Sequence, residues 1–232
     1  MENATPPETL LAAEALEVGY GGAPVCAPVD LDLPPGSALG LIGANGAGKS
    51  TLLQSLVGLL APLAGQVTFA GQPVDERRAD FRRAVATVLD DDAFFPSLTG
   101  REHLLLTARG HGVRDPEAVV AAEVDAFGMT DRIDALPSQL SSGQRRRLAL
   151  AAALVRPARL VVLDEPERRL DAGMRHRLAQ RLARLRDDGA AVLFACHDAD
   201  FLGAVADQVL LLADDACRLL GPDEAADVLP AL

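Results

Sequence analysis

Residues 43–51 read Gly43-Ala44-Asn45-Gly46-Ala47-Gly48-Lys49-Ser50-Thr51, a glycine-rich run with the spacing that wraps backbone around phosphate oxygens. Its glycines let the chain approach an anion closely, and the N–H groups and dipole of a helix starting there favour negative charge. Lys49 is the cation for the terminal phosphates, and the Ser50 hydroxyl is a magnesium ligand. Among 22 basic residues Lys49 is the one lysine. A chain that otherwise uses arginine has a lysine where this chemistry calls for one.

A second group lies at Leu160-Val161-Val162-Leu163-Asp164-Glu165-Pro166, an apolar run ending in two carboxylates. A strand of this kind presents acids at its C-terminal edge, beside a bound nucleotide. Asp164 is the candidate to hold magnesium through water, and Glu165 the general base that orients and deprotonates an attacking water. Just upstream, Leu140-Ser141-Ser142-Gly143-Gln144 opens a helical run. Taken alone, Ser141 to Gly143 reads as an ordinary helix N-cap.

These residues need elements to hold them. Short apolar runs at 15–18, 29–33, 39–42, 67–69, 85–89, 160–163, 192–195 and 209–212 predict strands, with helical patterns at 49–60, 144–155 and 172–187. The alternation predicts an α/β fold with a largely parallel sheet, and the continuous apolar runs fit strands buried on both faces. The glycine loop then follows a strand and opens a helix, as its chemistry requires. From 93 to 139 the strand signal lapses in favour of helices near 102–109 and 117–127, predicting an inserted helical subdomain.

At 232 residues, with 49% hydrophobic and 24% charged side chains, the chain has the balance of one globular domain. A net charge of −11 repels polyphosphate backbones, so nucleic acid is not expected as a partner. The longest wholly apolar run, 148–155, is far short of the roughly 20 residues that span a bilayer. The first ten residues lack the basic and apolar regions of a signal peptide, which predicts a loose tail and a cytoplasmic chain. Cys26, Cys196 and Cys217 have no metal-ligand spacing and read as free thiols. Arg77, Arg78, Arg82 and Arg83 read as a solvated helix face.

The order of glycine loop, Leu140-Ser141-Ser142-Gly143-Gln144, helix, Val161-Val162-Leu163-Asp164-Glu165-Pro166, then Leu170-Asp171 and His197 resembles the ATP-binding (nucleotide-binding) subunits of ABC transporters, from about 11 to 229. The resemblance implies a P-loop NTPase fold in one ATP-binding domain over 1–232. A RecA-like, mostly parallel sheet core at about 11–92 and 145–232 would carry an antiparallel β edge and a helical subdomain at about 93–144. It implies ATP and Mg2+ as cofactors and a homodimer, or a heterodimer with a related subunit. In that dimer Ser141, Ser142, Gly143 and Gln144 of one protomer face the γ-phosphate held by the other. Tyr20, the single tyrosine, matches the family's adenine-stacking aromatic, His197 its γ-phosphate switch histidine, and Asp171 its interface aspartate.

The sequence departs from the family in three places. Asp90 stands where a magnesium-sensing glutamine is usual; it retains a ligand oxygen but, ionised, no hydrogen to donate, and with Asp91 and Asp92 beside it a solvated acidic loop is the other reading. Ser142 replaces a signature glycine. Arg168 and Arg169 replace small residues, with an acid of the second protomer, phosphate or plain solvent as their destinations. The implied partners are separate membrane-spanning subunits that hold the chain at the inner face of the membrane, coupled near 90–102. Residues 94–99, Phe94-Phe95-Pro96-Ser97-Leu98-Thr99, resemble exporter subunits and, with no regulatory extension expected after 232, lean to export. The rival readings are a soluble cofactor-assembly ATPase and an ATP sensor without turnover.

Overall fold

Strand β1 (Leu11–Glu17) is followed by a two-stranded ribbon, β2 (Gly19–Tyr20) and β3 (Ala23–Pro24), and then by β4 (Val29–Leu33); the computed structural model describes residues 9–89, 94–213 and 215–232. β5 (Ala38–Ile42) runs into the glycine loop and helix α1 (Lys49–Leu56), after which come β6 (Ala64–Phe69) and β7 (Gln72–Pro73). β4, β1, β6 and β7 form an antiparallel sheet in that order. This is the antiparallel edge expected from the sequence.

The chain continues through α2 (Ala79–Ala84) and β8 (Val85–Val88) into the helices α3 (Gly100–Gly110) and α4 (Pro116–Ala126). Helix α5 (Ser142–Leu154) leads back to β9 (Leu160–Asp164), α6 (Ala172–Asp187) and β10 (Ala191–Ala195). α7 (Ala199–Val205), β11 (Gln208–Leu211), β12 (Arg218–Leu220) and α8 (Pro222–Val228) follow. The main sheet has the order β12-β11-β5-β10-β9-β8, parallel except for β12.

Side chains alternate across the sheet and so feed two cores. Leu160, Val162, Ala191 and Leu193 face the antiparallel sheet and α1, where Leu52, Leu53 and Leu56 are fully buried. Val161, Leu163, Val192 and Phe194 face the other way, packing with Leu148 and Leu150 of α5 and Leu178 of α6. That second core also takes in Leu104 of α3 and Val124 of α4. Burial on both faces explains why these strands read as unbroken apolar runs.

Several boundaries differ from the sequence-based expectation; β6, for one, starts at Ala64 and not at 67. α1 stops at Leu56 and not at 60, because Gly58 turns the chain at φ +79°, a left-handed conformation that glycine reaches without strain. β1 starts at Leu11, four residues before the run at 15–18, and a register shift between Ala13 and Leu16 puts Ala15 at φ +44°. α5 is unbroken from Ser142, so a division between 144 and 145 falls inside one helix.

Candidate nucleotide site

The parallel register brings the C-terminal ends of three strands together. Leu41 and Asp164 both lie opposite Ala195, the Cys196 N–H donates to Leu41 O at 3.1 Å, and the Glu165 N–H donates to Ala195 O at 3.0 Å. Gly43, Glu165 and His197 therefore leave the sheet at one edge, although they are far apart in sequence.

In the glycine loop Gly46 and Gly48 have φ of +88° and +87°. A Cβ on Gly48 would stand 2.5 Å from Val25 Cγ2, so this turn needs glycine twice over, for its conformation and for its space. Gly48 is also the N-cap of α1, and no side chain among the described residues caps that end. Ala44, Asn45 and Gly46 are exposed, Ser50 is half-buried, and Ala47 and Thr51 are buried beneath the loop. Lys49 curls over it, its Nζ donating to Gly43 O at 2.7 Å and Ala44 O at 3.0 Å. Burial lowers the Lys49 pKa, opposed by the charges of Glu165 and Asp164. A phosphate in the loop offers this ammonium a charged acceptor, a stronger partner than two carbonyls.

β9 is buried along its whole length and ends in Asp164, itself buried. Glu165 follows at φ +44°, with Oε1 3.3 Å from His197 Nε2 and Oε2 paired with the Arg168 guanidinium. Buried Arg146 of α5 donates to the carbonyls of Asp164 and Glu165, the latter at 3.0 Å. Glu167 turns inward, and its Oε1 accepts the His197 N–H at 2.9 Å. Of the residues singled out in the sequence, Asp164, Glu165 and His197 lie together at this edge; Arg146 and Glu167, which bond to them, were not singled out. The sequence left three destinations open for Arg168, and the structure supplies a fourth, Glu165 of the same chain.

Ser141 caps α5 in a reciprocal box: its hydroxyl accepts from the Gln144 N–H at 3.2 Å, and Gln144 Oε1 accepts from the Ser141 N–H at 2.9 Å. Ser141 and Ser142 are exposed. Gly143 lies against the next loop, for a Cβ there would stand 2.9 Å from Arg169 O, and Arg169 is itself left-handed at φ +62°. Asp171 caps α6 by accepting from the Met174 N–H at 2.9 Å and pairs with Arg147 at 2.7 Å. The Met174 N–H first, then Arg147, hold its carboxyl below the usual range. Tyr20 is 58% exposed on the β2–β3 ribbon. The chain leaves that ribbon through Val25, the residue packed on Gly48, so an open aromatic face stands on the segment bordering the loop. Asp90 lies outside the described residues.

Ser50 and Asp164 supply oxygen donors of the kind magnesium takes. Among the described residues no group of three or more His, Cys, Asp or Glu could hold a metal alone. That donor set fits an ion that draws its remaining ligands from phosphate and water. Away from the loop, a groove of about 870 Å³ opens between α2, β8, α3 and α5, lined by Arg82, Phe94, Phe95, His103, His111 and Arg156. Phe95 is 60% exposed and stacks on His103 at 5.7 Å.

A glycine loop between a parallel strand and a helix, with an acid-tipped strand alongside, defines a P-loop nucleotide-binding protein of the α/β class. The ABC transporter family model matches residues 26–168. The aliphatic sulfonates import ATP-binding protein of Pseudomonas putida is 38% identical over 89% of this chain and 74% of its own length. The Nod factor export ATP-binding protein I of Rhizobium etli is 34% identical over 83% of this chain; the chain spans 62% of that relative. A solved ATP-binding subunit of an ABC transporter superposes with TM-score 0.83 at 26% identity, over 96% of this chain and 100% of the other. The chain belongs to the family of ABC transporter ATP-binding subunits. A dimeric ATP-binding cassette solved with ADP and Pi, 21% identical with TM-score 0.82 over 92% of this chain and 99% of its own, shares the fold.

Proposed function

We propose that this chain hydrolyses ATP as the nucleotide-binding subunit of a transporter, dimerising around two ATP–magnesium complexes to move separate membrane-spanning subunits. The observation that carries the reading is Glu165, next to Asp164 at the end of a buried strand, facing His197 on the edge from which the glycine loop emerges. Glu165 accepts a proton from water as that water attacks the γ-phosphorus; the bond to the bridging oxygen breaks and ADP leaves. Lys49 balances the phosphate charge, and His197 orients the carboxylate and the γ-phosphate. Ser50 and Asp164 would hold magnesium, which would neutralise phosphate charge. Tyr20 stacks on adenine, and Ser141 to Gln144 and Asp171 face the second protomer.

The groove carrying Phe95 is the proposed seat of the membrane subunit, which holds this chain at the cytoplasmic face. For direction we infer export, supported by residues 94–99 and by the Nod factor relative; the sulfonate relative supports import with the same cassette.

Two measurements test the reading together. Lys49→Ala abolishes magnesium-dependent hydrolysis and sharply weakens ATP binding; undiminished turnover in the purified variant overturns the site. Affinity purification from solubilised native membranes recovers a polytopic membrane protein that regulates the ATPase. Recovery of soluble proteins alone transfers the reading to a soluble ABC ATPase.

A further inference from the structure

Glu167 is an acid in an apolar place. It is 6% exposed, and burial raises its carboxyl above the usual glutamate range, with the charge of Glu165 adding to that push. None of the described salt bridges includes it; its Oε1 accepts the His197 N–H at 2.9 Å, and its Oε2 is buried with no hydrogen-bond partner among the described residues. An apolar side chain of the same length could fill this space without desolvating a carboxyl. What the acid adds is an acceptor for one backbone N–H, and that N–H belongs to the histidine facing Glu165.

The segment around His197 is pinned at three successive residues. The Cys196 N–H bonds to Leu41 O at 3.1 Å, the His197 N–H to Glu167 Oε1 at 2.9 Å, and the Asp198 N–H to Cys196 Sγ at 3.2 Å. The anchor of His197 itself is Glu167. His197 Nε2 then stands 3.3 Å from Glu165 Oε1, and Glu165 in turn lies two residues before Glu167. The loop closes on itself through the imidazole.

We propose that Glu167 is a positioning residue for ATP hydrolysis, fixing the backbone of His197 so that its imidazole aligns the Glu165 carboxylate. This rests on Glu165 and His197 acting as described above. Misplacing a reacting group by about 1 Å costs on the order of 100-fold in rate, whereas ATP is gripped by the glycine loop, to which the described hydrogen bonds of the Glu167 side chain do not reach.

The test uses the purified chain, with its membrane partner where one is recovered. Glu167→Met keeps the volume and removes the acceptor; kcat falls about 10- to 100-fold while KM for ATP stays within about 2-fold. Glu167→Gln keeps a neutral acceptor at the same reach and recovers most of that loss. In a His197→Ala background, Glu167→Met adds little further loss, because it acts through the removed imidazole. Should Glu167→Met fail to fold, Glu167→Leu is read in the same way. An unchanged kcat in the apolar variant, an equal loss in Glu167→Gln, or the full loss repeated in the His197→Ala background overturns the proposal. Failure of the underlying reading looks different: Glu165→Gln then retains wild-type turnover whatever Glu167 does.

Discussion

At the scale of single residues, Glu165 is held from several sides at once. Its φ of +44° is a conformation that costs a non-glycine residue about 1 to 3 kcal/mol, and such strain collects at functional sites. Arg146 on its carbonyl, Ala195 on its N–H and His197 on its carboxylate over-determine that geometry. Glu165→Gln keeps the shape and removes the basic oxygen, so single-turnover hydrolysis falls by roughly 100- to 10,000-fold while ATP binding survives. Wild-type turnover in this variant removes Glu165 as the base. Glu167 gives a prediction in pH: its carboxyl is raised on folding, so the stability linked to it is full below the ordinary glutamate range and lost as pH rises through the raised value. Glu167→Gln does not titrate, and denaturation across that window shows wild type losing stability relative to it. A constant difference between the two denies that burial raises the Glu167 carboxyl. Lys49, Asp164 and Glu165 were legible because each chemistry sits in one continuous stretch of chain. Arg146 and Glu167 were not, since their targets are 18 or more residues away and only the parallel register brings them together.

Among the elements, the helical insertion is tied to the sheet by more than apolar packing. Glu123 of α4 is 5% exposed and pairs with Arg181 of α6 at 2.5 Å, across the boundary that the sequence suggested between subdomain and core. Removing one member of a buried pair costs about 3 to 5 kcal/mol when both charges are sealed. The Arg181 side chain is 29% exposed, so the expected loss for Glu123→Ala is about 2 kcal/mol. Urea unfolding measures it, and hydrogen exchange then localises faster opening to α4. An unchanged midpoint means the pair contributes no net stability. Long apolar strands and the helices at 144–155 and 172–187 were readable from periodicity alone. The β2–β3 ribbon, β7 and β12 were not, because two or three residues carry no period and their pairing is imposed by neighbours. The start of α5 was legible too: Ser141 to Gly143 read as a helix N-cap, and Ser141 caps the helix that begins at Ser142.

For the whole molecule, the proposed dimer makes the surface around Ser141 the place where two copies meet. Ser141 and Ser142 are exposed at the start of α5, where the helix favours an anion. Among the described residues the Ser141 hydroxyl is engaged only with its own helix, through the capping bond to the Gln144 N–H. In the proposed dimer a γ-phosphate brought by a second chain meets both that hydroxyl and the amino end of the helix. The net charge of −11 opposes self-association in the absence of such a ligand, which makes nucleotide the condition for pairing. On the proposed mechanism, wild-type chains that hydrolyse ATP lose the bridge as they turn over, and Glu165→Gln keeps it. In saturating ATP–magnesium, light scattering therefore finds Glu165→Gln as a dimer that returns to monomer when nucleotide is withdrawn. Adding Ser141→Arg puts a long cation where the phosphate must approach closely and removes the capping hydroxyl, so the double variant stays monomeric. Thermal melting of both variants without nucleotide separates this from a folding defect, since loss of the cap costs only about 1 kcal/mol. Equal dimerisation of the two variants takes away the role given to the segment 141–144, and a Glu165→Gln chain that remains monomeric at saturation, even with the membrane partner added, overturns the nucleotide-bridged dimer itself.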